Sequence, residues 1–286
     1  ATSRIMGAPG GVTGQFRTAA PGLQWPDDAA RPAMPHRTEL LIIDAQNDFC
    51  DLPDAWCAQD PVTGQPLRPA LPVPGAHADL LRLAGFIAAA GPRIGGITVT
   101  LDSHHRYDIA HPPYWRRGDG APVAPFTTIT AAQVRAGAFI PAVPAELQRT
   151  LAYLDALEAT GRYTLMVWPV HCQLGSWGHG LHPAVLAACN AWEDDRHSAV
   201  RVVDKGSYPW SEHYSALQAE VPDAQDPSTA LNRPLLDRLD RAGTLLVAGQ
   251  ASSHCVKATV EHLVQHLPSG RPERLLLLTD CMSPVA

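Results

Sequence analysis

Two sets of residues in this chain are equipped for chemistry. One is an aspartate, a lysine and a cysteine, Asp44, Lys205 and Cys255. A thiol attacks as its thiolate, and an unperturbed thiol is only a few per cent ionised at neutral pH. Cys255 opens an expected helix, whose dipole favours the anion, and a nearby Lys205 ammonium would favour it further. Asp44 could take the thiol proton and later pass it to a leaving amine. The successive backbone N–H groups from Ala251 to Cys255 could receive a developing oxyanion. Together these are the parts of acyl transfer through a thioester. Singly, each has an ordinary reading: a strand-end aspartate is usually a turn former, and a cysteine in a first helical turn is more often a small buried side chain. Convergence on one rim is what argues for chemistry.

The second set is Asp102, His104, His111 and His171. One carboxylate and three imidazoles suit a divalent Zn, Fe or Mn ion with positions left open for water or substrate. His105 competes with His104. The Asp-x-His spacing places Asp102 and His104 on one side of an extended chain, which favours His104. The alternative for these histidines is a solvated loop.

The elements that must position these groups read as a series of short apolar runs alternating with helical segments. Strands are expected at Leu40–Ile43, Gly96–Leu101, Tyr163–Val167, Val200–Val203, Thr244–Ala248 and Leu275–Leu278. Helices are expected at Ala76–Ala90, Pro144–Ala159, Pro183–Trp192 and His254–His266. Runs apolar on both faces, alternating with helices, indicate a parallel sheet covered on both sides. The expectation is an α/β fold, a three-layer α/β/α sandwich with a central, mostly parallel six-stranded sheet. In such sheets ligands bind beyond the carboxyl ends of the strands, and the chemistry-bearing residues sit there: Asp44 after the first strand, Asp102 after the second, His171 beyond the third, Lys205 after the fourth, Cys255 beyond the fifth.

Composition narrows the class. The 286 residues carry a net charge of −6 without basic blocks, which argues against nucleic acid as a partner. No run approaches eighteen apolar residues, so no membrane span is expected. The six cysteines form no C-x-x-C pair, against a zinc ribbon or a disulfide framework. Among 22 basic residues only Lys205 and Lys257 are lysines, and of the two only Lys205 stands at a strand end. Residues 1–38 lack periodicity and a signal-peptide pattern and read as an N-terminal arm or loop. Residues 39–286 read as one domain with a long insert at about 112–162. The chain stops just after the last expected strand, where a covering helix would be usual, which suggests a shortened C-terminus.

The motifs in order are IIDAQNDFC (42–50), TLDSHH (100–105), VWPVHC (167–172), VDKGSY (203–208), GQASSHCV (249–256) and LLTDCMSPVA (277–286). This series resembles the nicotinamidase branch of the isochorismatase-like cysteine hydrolases, in an enlarged variant. The resemblance spans nearly all of the chain after residue 38. It implies a catalytic Asp44, Lys205 and Cys255, oxyanion amides at Ala251 and Cys255, and aromatic substrate walls at Phe49 and Trp168. It also implies metal ligands at Asp102, His104, His111 and His171, and a cis peptide in the loop before the cysteine.

The sequence departs from that pattern in three places. His111 is one residue later than in compact members, the stretch from His111 to His171 is about four times longer, and the loop after Lys205 is extended. The activity so implied is cleavage of a small carboxamide, nicotinamide foremost, to the acid and ammonia by a metal-containing cysteine amidohydrolase. Alternatives are another small amide or carbamoyl substrate, a non-catalytic metal- and ligand-binding member, or a redox-sensing thiol protein. A cytoplasmic homo-oligomer with a small-molecule amide partner completes the expectation.

Overall fold

The computed structural model describes residues 37–285. The expected arm at 1–38 lies outside the described residues, apart from Arg37 and Thr38. The elements in chain order are β1 (Thr38–Ile43), α1 (Ala76–Ala90), β2 (Ile94–Asp102), β3 (Trp115–Arg117), β4 (Thr127–Ile129), α2 (Ala131–Arg135), β5 (Phe139–Pro141) and α3 (Leu147–Ala159). There follow β6 (Leu165–Val167), α4 (Pro183–Arg196), β7 (Arg201–Lys205), α5 (Arg233–Leu239), β8 (Thr244–Gly249), α6 (Cys255–His266) and β9 (Leu275–Leu277).

Five strands form the central sheet in the order β7-β2-β1-β8-β9, all parallel. The sequence LLII of β1 explains its central place, because alternate side chains of a strand point to opposite faces. Leu40 and Ile42 enter a core with Leu80, Leu83 and Ile87 of α1 and Val185 and Trp192 of α4. Leu41 and Ile43 enter a second core with Leu235, Leu236 and Leu239 of α5 and Val256 and Leu263 of α6. Helices thus cover both faces, giving the expected three layers. Pro183 opens α4 in the first-turn position that needs no N–H donor, and His182 Nδ1 accepts from the Ala184 N–H as its cap.

The third of the six strands expected in the sheet is a correction. Its core, Leu165–Val167, pairs antiparallel with Thr127–Ile129 in a separate two-stranded ribbon, with Thr127 opposite Val167. A three-residue apolar run fits any ladder, and here the insert supplies the partner. The central sheet therefore has five strands rather than six. The insert is also more structured than its sequence suggests. β3 and β5 form another antiparallel ribbon, a capping box at Thr130 and Gln133 starts α2, and the expected helix from Pro144 begins with a 3-10 turn before α3. The insert builds a core of its own around Tyr114, Trp115, Ile129, Leu154 and Leu157, on which Trp210 and Val221 also pack.

All six cysteines are free thiols. No described helix is long and apolar enough to cross a membrane.

Candidate active site

The parallel register carries three of the expected residues to one rim. Ile43 lies opposite Gly249, and Asp102 opposite Lys205, so the residues just past β1, β2, β7 and β8 are lateral neighbours at strand spacing, roughly 4.8 Å. Asp44 turns off the end of β1 at φ 46°, a left-handed conformation that aspartate tolerates better than most side chains. Its N–H donates to the Thr100 carbonyl at 3.2 Å, and Thr100 Oγ1 donates to Asp44 Oδ1 at 2.6 Å. Gly249, at φ 120°, closes the rim on the other side. A Cβ there would stand 1.9 Å from the Ile43 carbonyl oxygen, so only glycine fits this approach. One residue further on, the Gln250–Ala251 bond is cis, in the loop where the resemblance implied one.

Lys205 is the hub of the first set. Its Nζ lies 3.0 Å from Asp44 Oδ2, 2.8 Å from Asp102 Oδ1 and 3.5 Å from Cys255 Sγ, and it donates to the His213 carbonyl at 2.9 Å. Asp44, Lys205 and Cys255 are all buried. Burial alone would depress the lysine, but the Asp102 and Asp44 carboxylates hold its pKa well above the usual ammonium value. Burial pushes the Cys255 thiol well up, with Lys205 opposing and Asp44 adding to the rise. Burial also raises the Asp44 carboxyl, again against Lys205. Burial thus pushes both the thiol and the Asp44 carboxyl toward their protonated forms, and Lys205 pulls both the other way. Cys255 is the first residue of α6, where backbone N–H groups have no intrahelical acceptor and the dipole is positive.

The second set converges beside it. Single ligand atoms of His104, His111 and His171 lie within 4.8 Å of one another, and all three residues are buried. Asp102 Oδ2 is 3.0 Å from His104 Nε2 and 3.3 Å from His171 Nε2. Of the two neighbouring histidines, His104 is buried in this cluster, whereas the His105 side chain is exposed and its backbone carbonyl pairs with His111 Nδ1 at 3.1 Å. His104 Nδ1 faces Asp108 Oδ2 at 3.0 Å, an outer carboxylate that fixes the ring and leaves Nε2 turned toward Asp102. His171 Nδ1 is similarly 2.8 Å from the Pro169 carbonyl. Gly206, at φ 83°, leaves room beside this cluster; a Cβ there would meet Asp102 Oδ1 at 3.1 Å. His104 and His171 each have Nδ1 tied back and Nε2 aimed at Asp102, while His111 Nε2 lies 3.2 Å from His171 Nδ1; three buried imidazoles and a carboxylate are a donor set that fits a borderline divalent cation.

A pocket with about 340 Å³ of empty space, its open mouth included, connects the two sets. Phe49, Trp168, Asp102, His171, Ala251 and Cys255 line it, as do Leu71, Glu212, Tyr214 and His254. Phe49 stands edge-on to His171 at 5.4 Å and Trp168 edge-on to His254 at 5.3 Å. Trp168 Nε1 donates to Tyr214 Oη at 3.1 Å. Every residue expected at the site is thus brought to it.

Sequence reasoning missed four contributors. Thr100 had a usable signal, since it precedes Asp102 by two on the same strand. Asp108, Glu212 and Tyr214 lie in irregular chain and had none. Burial raises the Glu212 carboxyl, which faces the pocket from the segment after β7.

No protein-family profile and no curated protein sequence matches this chain. Solved structures do. The yeast nicotinamidase bound to the inhibitor nicotinaldehyde superposes with a TM-score of 0.54 at 20% identity, covering 87% of this chain and 89% of that one. A nicotinamidase/pyrazinamidase from Acinetobacter baumanii gives 0.51 at 19% identity, covering 88% and 86%. These likenesses establish a shared α/β fold over almost the whole described chain.

Proposed function

We propose that this protein is a cysteine amidohydrolase of the nicotinamidase type. It would cleave a small carboxamide, nicotinamide foremost, to the carboxylic acid and ammonia. The observation that carries the reading is the position of Lys205 Nζ, 3.0 Å from Asp44 and 3.5 Å from Cys255 in a buried site. An ammonium there stabilises the thiolate and the carboxylate whichever of them holds the charge. The nicotinamidases among the structural neighbours support the same reaction class.

In this reading Asp44 accepts the Cys255 proton as sulfur attacks the amide carbon. The carbonyl oxygen becomes an oxyanion, received by the N–H groups of Ala251 and Cys255. The tetrahedral adduct collapses as the C–N bond breaks, and the proton on Asp44 goes to the departing nitrogen, which leaves as ammonia. Water then attacks the thioester and gives a proton to Asp44. The C–S bond breaks, the acid departs, and Asp44 returns the proton to sulfur. The raised pKa of Asp44 suits a group that must hold a proton between steps.

Phe49 and Trp168 would hold the ring of the substrate from two sides. Asp102, His104, His111 and His171 would hold a divalent ion of the Zn, Fe or Mn kind. When bound, such an ion supplies a Lewis-acid anchor for a ring nitrogen or a water. Glu212 adds an acidic wall that a plain aromatic slot lacks, which keeps other small amides and carbamoyl compounds in the substrate panel.

The test is ammonia release from nicotinamide and a panel of small amides by the parent and Cys255→Ala. The variant is expected to lose release entirely while keeping bound metal. Full activity in Cys255→Ala would end the covalent mechanism, and a parent inactive on every amide would favour a binding role instead.

A further inference from the structure

Arg162 ends the insert and lines neither the pocket nor the cation cluster. Its guanidinium nevertheless joins three parts of the chain. Nη1 lies 3.3 Å from Glu220 Oε2 and 3.2 Å from His262 Nε2, and Nη2 donates to Glu261 Oε2 at 2.8 Å. Glu261 and His262 belong to α6, the helix that begins at Cys255. Glu220 belongs to the segment after β7, where its N–H donates to the Glu212 carbonyl at 2.8 Å. The next residue, His213, offers the carbonyl that receives Lys205 Nζ. A second tie joins the same two parts, the Ala216 N–H donating to Thr259 Oγ1 of α6 at 3.0 Å. The Arg162 guanidinium also lies 5.4 Å over the Tyr163 ring, which packs 4.8 Å from the pocket-lining Tyr214.

The sheet itself does not fix the distance between Lys205 and Cys255. Lys205 ends β7, the edge strand, and Cys255 follows β8, with β2 and β1 lying between them. No ladder pairs the two strands directly: the loop before Cys255 is held to Ile43 and Ser283 by the Gln250 and Ser252 N–H groups, and what remains to set the 3.5 Å separation is the hold of α6 on the segment after β7. We propose that Arg162 is a positioning residue that sets this separation, tying α6 to the segment carrying the His213 carbonyl through one guanidinium. A planar fork can address acceptors in several directions at once, which a lysine ammonium on a flexible stem does less well. A shift of about 1 Å in such a pair costs on the order of a hundredfold in rate, so a partial loosening is visible in kcat before it is visible in binding.

The proposal rests on Cys255 being the nucleophile. Its test is therefore chosen to work with and without a substrate. Arg162→Gln and Arg162→Lys are compared with the parent for kcat and KM on nicotinamide, and for the pH profile of Cys255 alkylation by iodoacetamide, read on the Cys255 peptide by mass spectrometry. In Arg162→Gln, kcat should fall roughly tenfold with KM changed less than about twofold. Its alkylation profile should move to higher pH as the ammonium contact loosens. Arg162→Lys should recover part of both. A folded Arg162→Gln with parental kcat and a parental alkylation profile overturns the proposal.

If Arg162→Gln does not fold, Glu261→Gln removes the more exposed arm of the tie. A fall in kcat of roughly threefold then supports the proposal, and parental kcat overturns it. Alkylation needs no amide, so an unmoved profile refutes the positioning role even for a different substrate. Ammonia release by Cys255→Ala would instead refute the nucleophile reading alone.

Discussion

The rim of the central sheet and the segments that wrap it (the insert and the loop after β7) place their functional side chains in different ways. Asp44, Asp102 and Lys205 each stand at or just beyond the end of a strand whose register with its neighbours is set by backbone hydrogen bonds. His111, His171, Trp168, Glu212 and Tyr214 lie in irregular chain and are held by single contacts outside any ladder: His111 by the His105 carbonyl, His171 by the Pro169 carbonyl, and Trp168 by Tyr214 and the Ala110 carbonyl. The geometry of the rim residues therefore follows from the ladder. The wrapping segments set the pocket wall, because their geometry follows from particular contacts that can change without changing the sheet.

The sharpest way to test that division is to remove one function from each region. Asp44→Asn keeps the shape and the Thr100 contact but cannot accept the thiol proton, so kcat on the best amide should fall about 10³-fold. Metal content and melting temperature should stay near parental values. Asp108→Ala leaves all four proposed ligands in place but frees His104 Nδ1, and the bound metal should weaken roughly 10- to 100-fold, measured by chelator competition. If Asp44→Asn also emptied the cation cluster, rim and wrap would be one unit through Lys205 and Asp102. The comparison would then fail.

What was legible in the sequence divides along the same line. The strand-end residues were readable because an apolar run followed by a polar residue at a parallel strand's carboxyl end has one usual meaning. Helix Ala76–Ala90 was readable from its periodicity, and α4 from proline in its first turn. The third expected strand was not, since Leu165–Val167 is too short to declare its partner, and the partner, Thr127–Ile129, lies within the insert. Glu212 was unreadable for the opposite reason: the extended loop after Lys205 could be placed beside the pocket, but nothing near Glu212 in sequence says that this side chain lines it. The loop's path depends on Trp210 and Val221 finding the insert's core, a long-range event with no local signature.

That shared core yields a third prediction. Leu154 on α3 is fully buried among Tyr114, Trp115 and Ile129, and Leu154→Ala should cost about 2–5 kcal/mol from lost burial and the cavity left behind. Because Trp210 and Val221 pack on the same cluster, and Arg162 ties the insert to α6, urea unfolding should shift as one transition followed by both tryptophan fluorescence and far-UV circular dichroism. An early fluorescence transition with the sheet unaffected would instead make the insert a separate cooperative unit.

The smallest effect expected lies where the two regions meet. Burial pushes the Glu220 carboxyl up to about 7, against the opposing Arg162 and helped by Glu212 and Glu261, with Lys205 also opposing. The folded chain therefore binds this proton more tightly than the unfolded chain, whose carboxyl has its ordinary value of 4.5. Stability from this group is complete below the lower value, declines as pH rises toward about 7, and is flat beyond. Activity should run the other way, because the ion pair with Arg162 is complete only once Glu220 is ionised. Glu220→Gln should thus flatten the fall in urea midpoint across this window and remove the matching rise in kcat. If the midpoint profile of Glu220→Gln overlays the parent, Glu220 is not titrating there. If the midpoint flattens but kcat still rises, the junction stabilises the fold without setting the geometry of Cys255 and Lys205.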